Sequence, residues 1–423
     1  MHTVKKSKFN ISIQYDKKTM VIFNTKSMKA CFLNDTEYEA YLNSAVDKKI
    51  EKQFLDNGIY VEESFDELYN LYLDRQKSNN RKEELNIWIY PTLKCNADCE
   101  YCFEKMQEKY DMNDETANLL VDYIKKKVQG FKKISLCWFG GEPLLNTHII
   151  DLISSRLLDE LSDVVVTSSL ITNGSMINES IVNKMKGVWN ITSVQITLDG
   201  AFDVYNKIKK YKNKKYTFEL IISNIRMLLN AGIKVNIRLN YSGDNFDTLM
   251  SLINYLSNIF ENKTNLFCYI YPIWSVENNG KLLYESNAES DEKLLALYKK
   301  IVEKKLSTLD KMINLKSIKS HCMACNKNNF SVLPNGNIIK CANLPELCVG
   351  NIENDIYDKQ MVEEWGSPII DEGCNNCVYL PLCQGGCLAS KYGNMRKCFI
   401  QKEIMPQLLK LIFQIEKMKK GGD

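Results

Sequence analysis

Short apolar runs alternate with amphipathic helical segments through the middle of this chain of 423 residues. Six runs have the length and composition of β-strands, at residues 85–90, 134–139, 164–172, 193–198, 234–240 and 265–270. The spacing of apolar residues predicts helices between them, at residues 114–128, 149–161, 179–186, 217–230 and 246–259. Strands that alternate with helices form parallel sheets with right-handed crossovers, so this region is predicted to be α/β, with ligands at the carboxyl ends of its strands.

Three cysteines follow the first predicted strand in the spacing C-x3-C-x2-C, at Cys95, Cys99 and Cys102. Three thiolates on one short loop suit a cubane iron–sulfur cluster that keeps one iron without a protein ligand. A structural zinc site, which is the alternative, needs a fourth cysteine or histidine nearby, and none follows before Cys137. The loop therefore predicts an iron–sulfur cluster whose open iron can hold a small molecule.

This triplet, with Tyr101 just before its third cysteine, resembles the motif of the radical S-adenosylmethionine (SAM) enzymes. The resemblance implies a partial (β/α)6 TIM-like barrel, with the cysteine loop at the end of the first strand. It also implies a [4Fe–4S] cluster whose open iron chelates SAM and whose electron cleaves SAM to a 5′-deoxyadenosyl radical. In such enzymes the radical chemistry belongs to the cofactors, and the protein positions and shields them.

Motifs at the ends of the later strands extend the resemblance. The segment 140–143 looks like the family's GGEP motif, and the turns at Asn173 and Asp199 look like the motifs that hold the ribose and methionine parts of SAM. Arg238, in an R-x-N pattern with Asn240, would clamp the SAM carboxylate, with a surface salt bridge as the alternative. The residues implied to bind SAM are Tyr101, Gly140, Gly141, Glu142, Asn173, Asp199 and Arg238.

One segment departs from the family pattern. Relatives often carry a His-Asp pair and an arginine after the turn at Asp199, whereas this chain has Tyr205, Asn206 and Lys209 there. Because lysine cannot make the planar two-point contact of arginine, the role of this segment is an open question at the level of sequence.

The last third of the chain carries a second set of cysteines, which resembles the SPASM domain with two auxiliary [4Fe–4S] clusters. The resemblance implies one cluster on Cys322, Cys325, Cys341 and Cys387, and another on Cys374, Cys377, Cys383 and Cys398. Zinc is the alternative metal. Cys325 stands where many relatives have glycine, so Cys348 is an extra candidate ligand. Cys31 and Cys137 are expected to be small buried hydrophobes, and Cys268 to face the barrel mouth.

The segment before residue 85 lacks a metal motif and is predicted to form short strands at 10–13, 19–24, 29–33 and 59–61 and helices at 35–43, 48–57 and 65–76. This order resembles the winged-helix-like peptide-recognition module of radical SAM peptide maturases, which captures a leader peptide as an added strand. A cap that merely packs on the barrel is the alternative. Residues 75–84 are predicted to be a linker, and 406–419 a helix packed on the barrel.

Composition restricts the possible partners and location. The net charge of +3 argues against nucleic acid or an anionic membrane as the main partner. A signal-peptide pattern and an apolar run of membrane-spanning length were not found, so the chain is expected to be cytoplasmic. There the fifteen cysteines would serve as metal ligands rather than disulfides.

The combined prediction is a radical SAM enzyme with residues 1–80 as the recognition module, 81–310 as the radical SAM core and 311–423 as the SPASM domain with a terminal helix. It would use three [4Fe–4S] clusters, SAM and a reductant such as flavodoxin or ferredoxin. It would form a crosslink, expected to be a cysteine thioether, in a ribosomally made precursor peptide. Two alternatives stand: a formylglycine-forming enzyme like the anaerobic sulfatase maturases, and a non-enzymatic iron–sulfur electron-transfer protein.

Overall fold

The structure is a computed structural model, and it describes residues 3–99, 101–102, 104, 108–273, 287–312, 322–367, 370–392, 398 and 402–420. The chain divides into two compact units. The first combines Met1–Asn79, Leu309–His321 and Pro368–Asp423, and the second combines Asn80–Thr308 and Cys322–Ser367. Both units are therefore assembled from segments that are separate in sequence.

The N-terminal segment forms two small antiparallel sheets and three helices. Its strands are β1 (Val4–Lys6), β2 (Asn10–Asp16), β3 (Thr19–Asn24), β4 (Lys29–Asn34) and β5 (Tyr60–Glu62). Its helices are α1 (Asp35–Leu42), α2 (Lys48–Asp56) and α3 (Glu67–Asn79). Strands β2, β3 and β4 form one sheet, and β1 pairs with β5. Asn34 and Glu37 form a capping box at the start of α1, which explains why the chain turns from β4 directly into a helix.

Helix α3 overturns the predicted linker at 75–84, because the helix continues to Asn79. Arg75 lies on the buried side of α3, and its guanidinium donates to the carbonyl oxygen of Gln384. A charged residue in a polar stretch suggested an exposed linker, but its partner lies more than three hundred residues away in sequence.

The second unit is built on six parallel strands, each hydrogen-bonded to its sequence neighbour. They are β6 (Leu85–Thr92), β7 (Lys133–Gly140), β8 (Val165–Thr172), β9 (Ile191–Leu198), β10 (Lys234–Tyr241) and β11 (Leu266–Pro272). The helices between and after them are α4 (Asp114–Lys127), α5 (Thr147–Glu160), α6 (Glu179–Lys186), α7 (Phe202–Lys209), α8 (Phe218–Asn230), α9 (Phe246–Ile259) and α10 (Ala288–Glu303). The predicted parallel α/β fold is confirmed, and α7 and α10 are additions to it.

Alternation along the strands separates two faces of the parallel sheet. In β11, Leu266, Cys268 and Ile270 are buried together, whereas the Tyr269 hydroxyl points the other way and donates to Gln195 on β9. Cys268 is completely buried on the apolar face, so the expectation that it faces the barrel mouth was wrong. Cys31 and Cys137 are buried, as predicted.

The C-terminal third extends both units. Strands β12 (Phe330–Val332), β13 (Asn337–Ile339), β14 (Cys348–Asn351) and β15 (Asp355–Ile356) continue the parallel sheet beyond β6. The remaining helices are α11 (Leu309–Met312), α12 (Lys359–Gly366), α13 (Glu372–Asn375), α14 (Leu380–Cys383) and α15 (Met405–Lys420). Leu409 and Phe413 of α15 pack with Ile13 and Phe23 of the β2–β3–β4 sheet, which corrects the expectation of a helix packed on the barrel. Among the described residues, none of the helices has the length and apolarity needed to cross a membrane.

Candidate functional site

The three cysteines of the triplet lie just beyond the carboxyl end of β6 and are partly buried. The backbone N–H of Cys102 donates to the carbonyl oxygen of Cys99 (3.2 Å), which closes the loop into a turn. Burial raises the pKa of the Cys95 thiol to about 12, and the nearby Glu142, Cys99 and Cys102 contribute to the rise. The three thiols are therefore close enough to interact electrostatically.

The donor set of three cysteine thiols on one loop fits a cubane cluster. Among the described residues, no group of three His, Cys, Asp or Glu side chains is placed to hold one metal ion. In a cubane each thiolate binds a different iron, so the sulfurs need not converge on one point. A cluster on Cys95, Cys99 and Cys102 would hold those thiols as thiolates, because metal binding displaces their protons.

The paired glycines at the end of β7 are required by the cysteine loop itself. A Cβ on Gly140 would lie 2.4 Å from the Thr92 carbonyl oxygen, and Gly140 also has a φ of +119°. A Cβ on Gly141 would lie 2.2 Å from the Lys94 carbonyl oxygen. The backbone that leads into the cysteines thus packs directly on these two residues, and only glycine permits that approach.

Glu142 is fully buried, and its hydrogen bonds link the carboxyl ends of the neighbouring strands β7 and β8. Its carboxylate accepts from the Thr172 hydroxyl (2.7 Å), the Asn173 backbone N–H (2.8 Å) and the Leu144 backbone N–H (3.2 Å). Burial raises the pKa of Glu142, although these three donors act to lower it. Glu142 therefore fixes the position of Asn173 rather than standing free as a general acid or base.

Asn173 in turn contacts the cysteine loop. Its side-chain amide donates to the Asn96 side-chain oxygen (2.8 Å), and the Asn96 amide donates to the Ser175 hydroxyl (2.8 Å). Asn96 lies between Cys95 and Cys99, yet the sequence analysis assigned it no role. The sequence showed Asn96 only as a polar residue inside the triplet. Its partners, Asn173 and Ser175, follow a different strand, β8.

A second network joins Tyr101 to Arg238 through Asp199. Lys209 lies 3.0 Å from the Asp199 carboxylate and donates to the Tyr101 hydroxyl (2.9 Å). The other Asp199 oxygen accepts from the Asn240 amide (2.7 Å), and Asn240 accepts from Arg238 Nε (2.8 Å). The structure thus connects the predicted residues Tyr101, Asp199 and Arg238. It adds Lys209 and Asn240 as their bridges.

Arg238 is held in place by more than its hydrogen bond. Its guanidinium carbon lies 3.6 Å from the centroid of the Tyr271 ring, a stacking contact that fixes the plane of the side chain. Among the described residues, the Arg238 guanidinium forms no ion pair, so no carboxylate in that part of the chain supports the alternative of a surface salt bridge.

A cavity of about 260 Å³ lies along the same face of the sheet, towards the amino ends of the strands. Hydrogen-bonding side chains dominate its lining, with Asn86, Ser135, Ser193, Gln195 and Asn236 contributed by four strands. Among the residues that the structure describes, the lining includes no charged side chain. The cavity is therefore suited to neutral polar groups.

The later cysteines are divided between the two units. In the first unit, Cys377, Cys398 and Cys374 each help to raise the pKa of the Cys383 thiol, which burial raises to about 11. These four thiols are the predicted ligands of one auxiliary cluster, and three of them lie within electrostatic range of the fourth, Cys383. Gln384 and the glycines after it, Gly385 and Gly386, all have positive φ, so the chain turns tightly past Cys383.

Of the other predicted ligand group, Cys322, Cys325 and Cys341 belong to the second unit. Cys322 and Cys325 are hydrogen-bonded to each other, which lowers the pKa of Cys322 to about 7. The buried Lys340, which precedes Cys341, donates to the carbonyl oxygens of Asn326 and Asn329 (2.8 and 2.5 Å). Cys387 belongs to the first unit. The extra candidate Cys348 lies next to Tyr357, whose hydroxyl is 3.2 Å from its sulfur.

Comparison with known proteins agrees with this geometry. Residues 89–256 match the family model described as Radical SAM superfamily, so the chain carries a radical SAM domain. The radical SAM cyclopropyl synthase TigE of Paramaledivibacter caminithermalis is 24% identical over 409 residues, covering 87% of this chain and 83% of TigE. The cysteine-type anaerobic sulfatase-maturating enzyme of Clostridium novyi is 25% identical over 348 residues, covering 74% and 90%. An uncharacterized protein of Methanocaldococcus jannaschii is 28% identical over 165 residues, and this match spans 56% of its length and 39% of this chain.

Solved structures show the same fold. Native anSMEcpe with bound AdoMet and Cp18Cys peptide has 19% identity and a TM-score of 0.59, over 78% of this chain and 99% of that one. Streptococcus suis SuiB bound to its precursor peptide SuiA has 16% identity and a TM-score of 0.55, over 94% and 98%. The predicted radical SAM fold is thereby confirmed.

Proposed function

We propose that this chain is a radical SAM peptide maturase, which removes a hydrogen atom from a ribosomally made precursor peptide and closes a crosslink. The observation that supports the proposal is the position of the cysteine triplet at the carboxyl edge of the parallel sheet. The backbone that leads into the triplet packs there on Gly140 and Gly141. SAM bound to a reduced [4Fe–4S] cluster supplies a 5′-deoxyadenosyl radical that abstracts hydrogen. The similarity to SuiB bound to its precursor peptide SuiA and to anSMEcpe bound to the Cp18Cys peptide supports a peptide as substrate.

The chain's own residues would position these groups. Cys95, Cys99 and Cys102 would hold the cluster, and Arg238, fixed by Tyr271 and Asn240, would offer its guanidinium to the SAM carboxylate. Asn173, positioned by Glu142, would face the nucleoside.

The expected product is a cysteine thioether. Its closure removes one hydrogen from carbon and one from sulfur and forms a C–S bond. One hydrogen leaves in 5′-deoxyadenosine, the other as a proton, and one electron must pass to an acceptor. Cys322, Cys325, Cys341 and Cys387 would hold one auxiliary cluster and Cys374, Cys377, Cys383 and Cys398 another, and such clusters would supply an acceptor for that electron. A flavodoxin or ferredoxin would supply the electron that cleaves SAM.

The N-terminal sheet would capture the leader peptide as an added strand. Within the described residues, β4 pairs with β3 alone, so it forms an edge of the three-stranded sheet. Phe32 on this strand is 49% exposed and makes edge-to-face contacts with Tyr15 and Phe413. An apolar leader side chain that covers Phe32 would add to the main-chain hydrogen bonds of the new strand.

A formylglycine-forming activity is the second candidate, because the match to the sulfatase-maturating enzyme of Clostridium novyi covers 90% of that enzyme's length. The two products differ in the connectivity of the peptide. A thioether ties two residues together, so fragmentation yields few ions between them, whereas formylglycine leaves a linear peptide with a reactive aldehyde. TigE, a cyclopropyl synthase, adds a third outcome, the formation of a cyclopropyl group.

The test combines SAM turnover with peptide analysis. The anaerobically reconstituted protein, reduced with dithionite, is incubated with SAM and with candidate precursor peptides, chosen from any small cysteine-rich open reading frames beside its gene. We expect 5′-deoxyadenosine together with a peptide that has lost two hydrogens per crosslink and does not react with a thiol reagent at the linked cysteine. Production of 5′-deoxyadenosine without any change in the peptide would reject this substrate class. No 5′-deoxyadenosine at all would favour the electron-transfer protein.

A further inference from the structure

The side chain of Lys209 is a buried charge beside the cysteine loop. Lys209 is the last residue of α7 and is 4% exposed, and the Asp199 side chain next to it is buried as well. The ammonium lies 3.0 Å from the Asp199 carboxylate and 2.9 Å from the Tyr101 hydroxyl. Transfer of two opposite charges into the interior is costly, so a buried pair of this kind requires close contact and further hydrogen bonds.

The backbone at the end of α7 and just after it also forms hydrogen bonds with the cysteine loop. The backbone N–H of Asp98 donates to the Lys209 carbonyl oxygen (3.1 Å), and the N–H of Lys212 donates to the Asn96 carbonyl oxygen (2.9 Å). The loop between Cys95 and Cys99 is therefore held by two main-chain hydrogen bonds from the end of α7. Lys209 contacts the loop with both its backbone and its side chain.

Lysine can fill this position without the two-point geometry of arginine. The ammonium is a compact point charge with three donors, and here one donor faces a carboxylate and another a single hydroxyl. The 3.0 Å contact with the Asp199 carboxylate is that of an ion pair, in which Lys209 is the cation.

The charge of Lys209 also acts on Cys99. The Cys99 sulfur lies 3.8 Å from the Lys209 carbonyl oxygen, and the ammonium donates to the hydroxyl of Tyr101, which stands between Cys99 and Cys102. Within the described residues, the Asp199 carboxylate contacts Lys209 and Asn240 but not the cysteine loop, so the ammonium is the nearer of the two charges to the loop. Net charge near the sulfurs is one of the features that set the reduction potential of an iron–sulfur cluster.

We propose that Lys209 is a positioning residue of the cysteine loop whose buried positive charge stabilises the reduced state of the cluster on Cys95, Cys99 and Cys102. Reduction adds one electron, and therefore one negative charge, close to Cys99. The ammonium lowers the free energy of that state, and the Asp199 carboxylate raises it by a smaller amount. The inference requires the cluster but not the peptide, so it can hold even if the proposed substrate class fails.

A charge cycle tests the proposal in the full-length reconstituted protein. The variants are Lys209→Met, Asp199→Asn and the double variant, and the readout is the midpoint potential of the EPR signal that responds to SAM. We expect Lys209→Met to reduce the ratio of reduced to oxidised cluster at a fixed potential about tenfold, which is about 59 mV for a one-electron couple. Asp199→Asn should shift the potential in the opposite direction, and the double variant should lie between the two.

The opposite signs separate charge from structure, because a merely structural role would displace the loop in both single variants and has no reason to reverse its effect. Lys207→Met is the matched control, since Lys207 is exposed on the same helix, and its potential should equal that of the unchanged protein. Shifts in one direction for both single variants, or no shift in Lys209→Met, would overturn the proposal. If Lys209→Met retains no iron, Lys209→Gln, which keeps a hydrogen-bond donor for Tyr101 but removes the charge, decides instead: a lowered potential supports the proposal and an unchanged or raised one overturns it.

Discussion

Gly141→Ala should displace the cysteine loop. The added Cβ would lie 2.2 Å from the Lys94 carbonyl oxygen and 2.6 Å from its carbonyl carbon, and both atoms belong to backbone. Ordinary contact begins near 3.4 Å, so the loop must retreat by 3.4 minus 2.2, or about 1.2 Å. Gly141 is not among the residues with positive φ, so the effect is steric.

A displacement of this size is large on the scale of catalysis. A shift of about 1 Å in a reacting group can lower a rate on the order of 100-fold. Forcing extra atoms into a packed site costs about 1–3 kcal/mol of folding free energy. We therefore expect Gly141→Ala to fold with a lowered Tm and to cleave SAM about 100-fold more slowly.

The assay measures iron content, SAM affinity and 5′-deoxyadenosine formation for Gly141→Ala, with Gly187→Ala as control. Gly187 is exposed after α6, and its added Cβ would lie 3.2 Å from the Asn183 carbonyl oxygen, far from the site. The control should retain its iron and its rate. A Gly141→Ala variant with the iron content and SAM cleavage of the unchanged protein would show that the loop does not pack on this glycine.

Further predictions follow from the cluster, the buried carboxylate and the sheet edge. Replacing all three cysteines of the triplet by alanine should remove about a third of the iron, as one of three clusters, and all SAM cleavage; residual 5′-deoxyadenosine would refute the assignment. Exposure to air should abolish turnover, and anaerobic reconstitution with iron and sulfide should restore it. Glu142→Gln should lower the free energy of unfolding by about 1.5–3 kcal/mol, because the Gln amide nitrogen cannot accept from the buried donors that now bond to the carboxylate, measured by denaturant titration against Glu261→Gln on the surface. Phe32→Ala should raise the KM for the leader-bearing precursor about fivefold to tenfold without lowering kcat, and an equal effect on a leaderless peptide would contradict leader capture.

The parallel sheet could be predicted closely from the sequence. Its strands carry a continuous apolar face, and turn motifs mark their carboxyl ends, so α6 and α9 were predicted with the bounds that the structure shows. The signals for these elements are local. Strands β12 to β15 are two to four residues long and pair across turns, which leaves too few residues for a periodic pattern.

The site was predictable as a set of motifs but not as a set of contacts. Gly140 and Gly141 were expected to approach a ligand, whereas the structure shows that they accommodate the cysteine loop. The role of Lys209 depends on Asp199, Tyr101 and a backbone N–H on the cysteine loop, and nothing in the spacing of these residues brings them together. The partner of Arg75 is likewise remote, which is why a buried helix end resembled an exposed linker.

The packing of α15 on the N-terminal sheet has a consequence for synthesis of the chain. The apolar face that carries Ile13 and Phe23 is made early, and the helix that covers it emerges from the ribosome about four hundred residues later. The second unit can complete its parallel sheet in the meantime, since its strands pair with near neighbours in sequence. Until α15 arrives, the early sheet presents an uncovered apolar surface that chaperones can bind, so the yield of folded protein should be sensitive to chaperone supply and to truncation near residue 405.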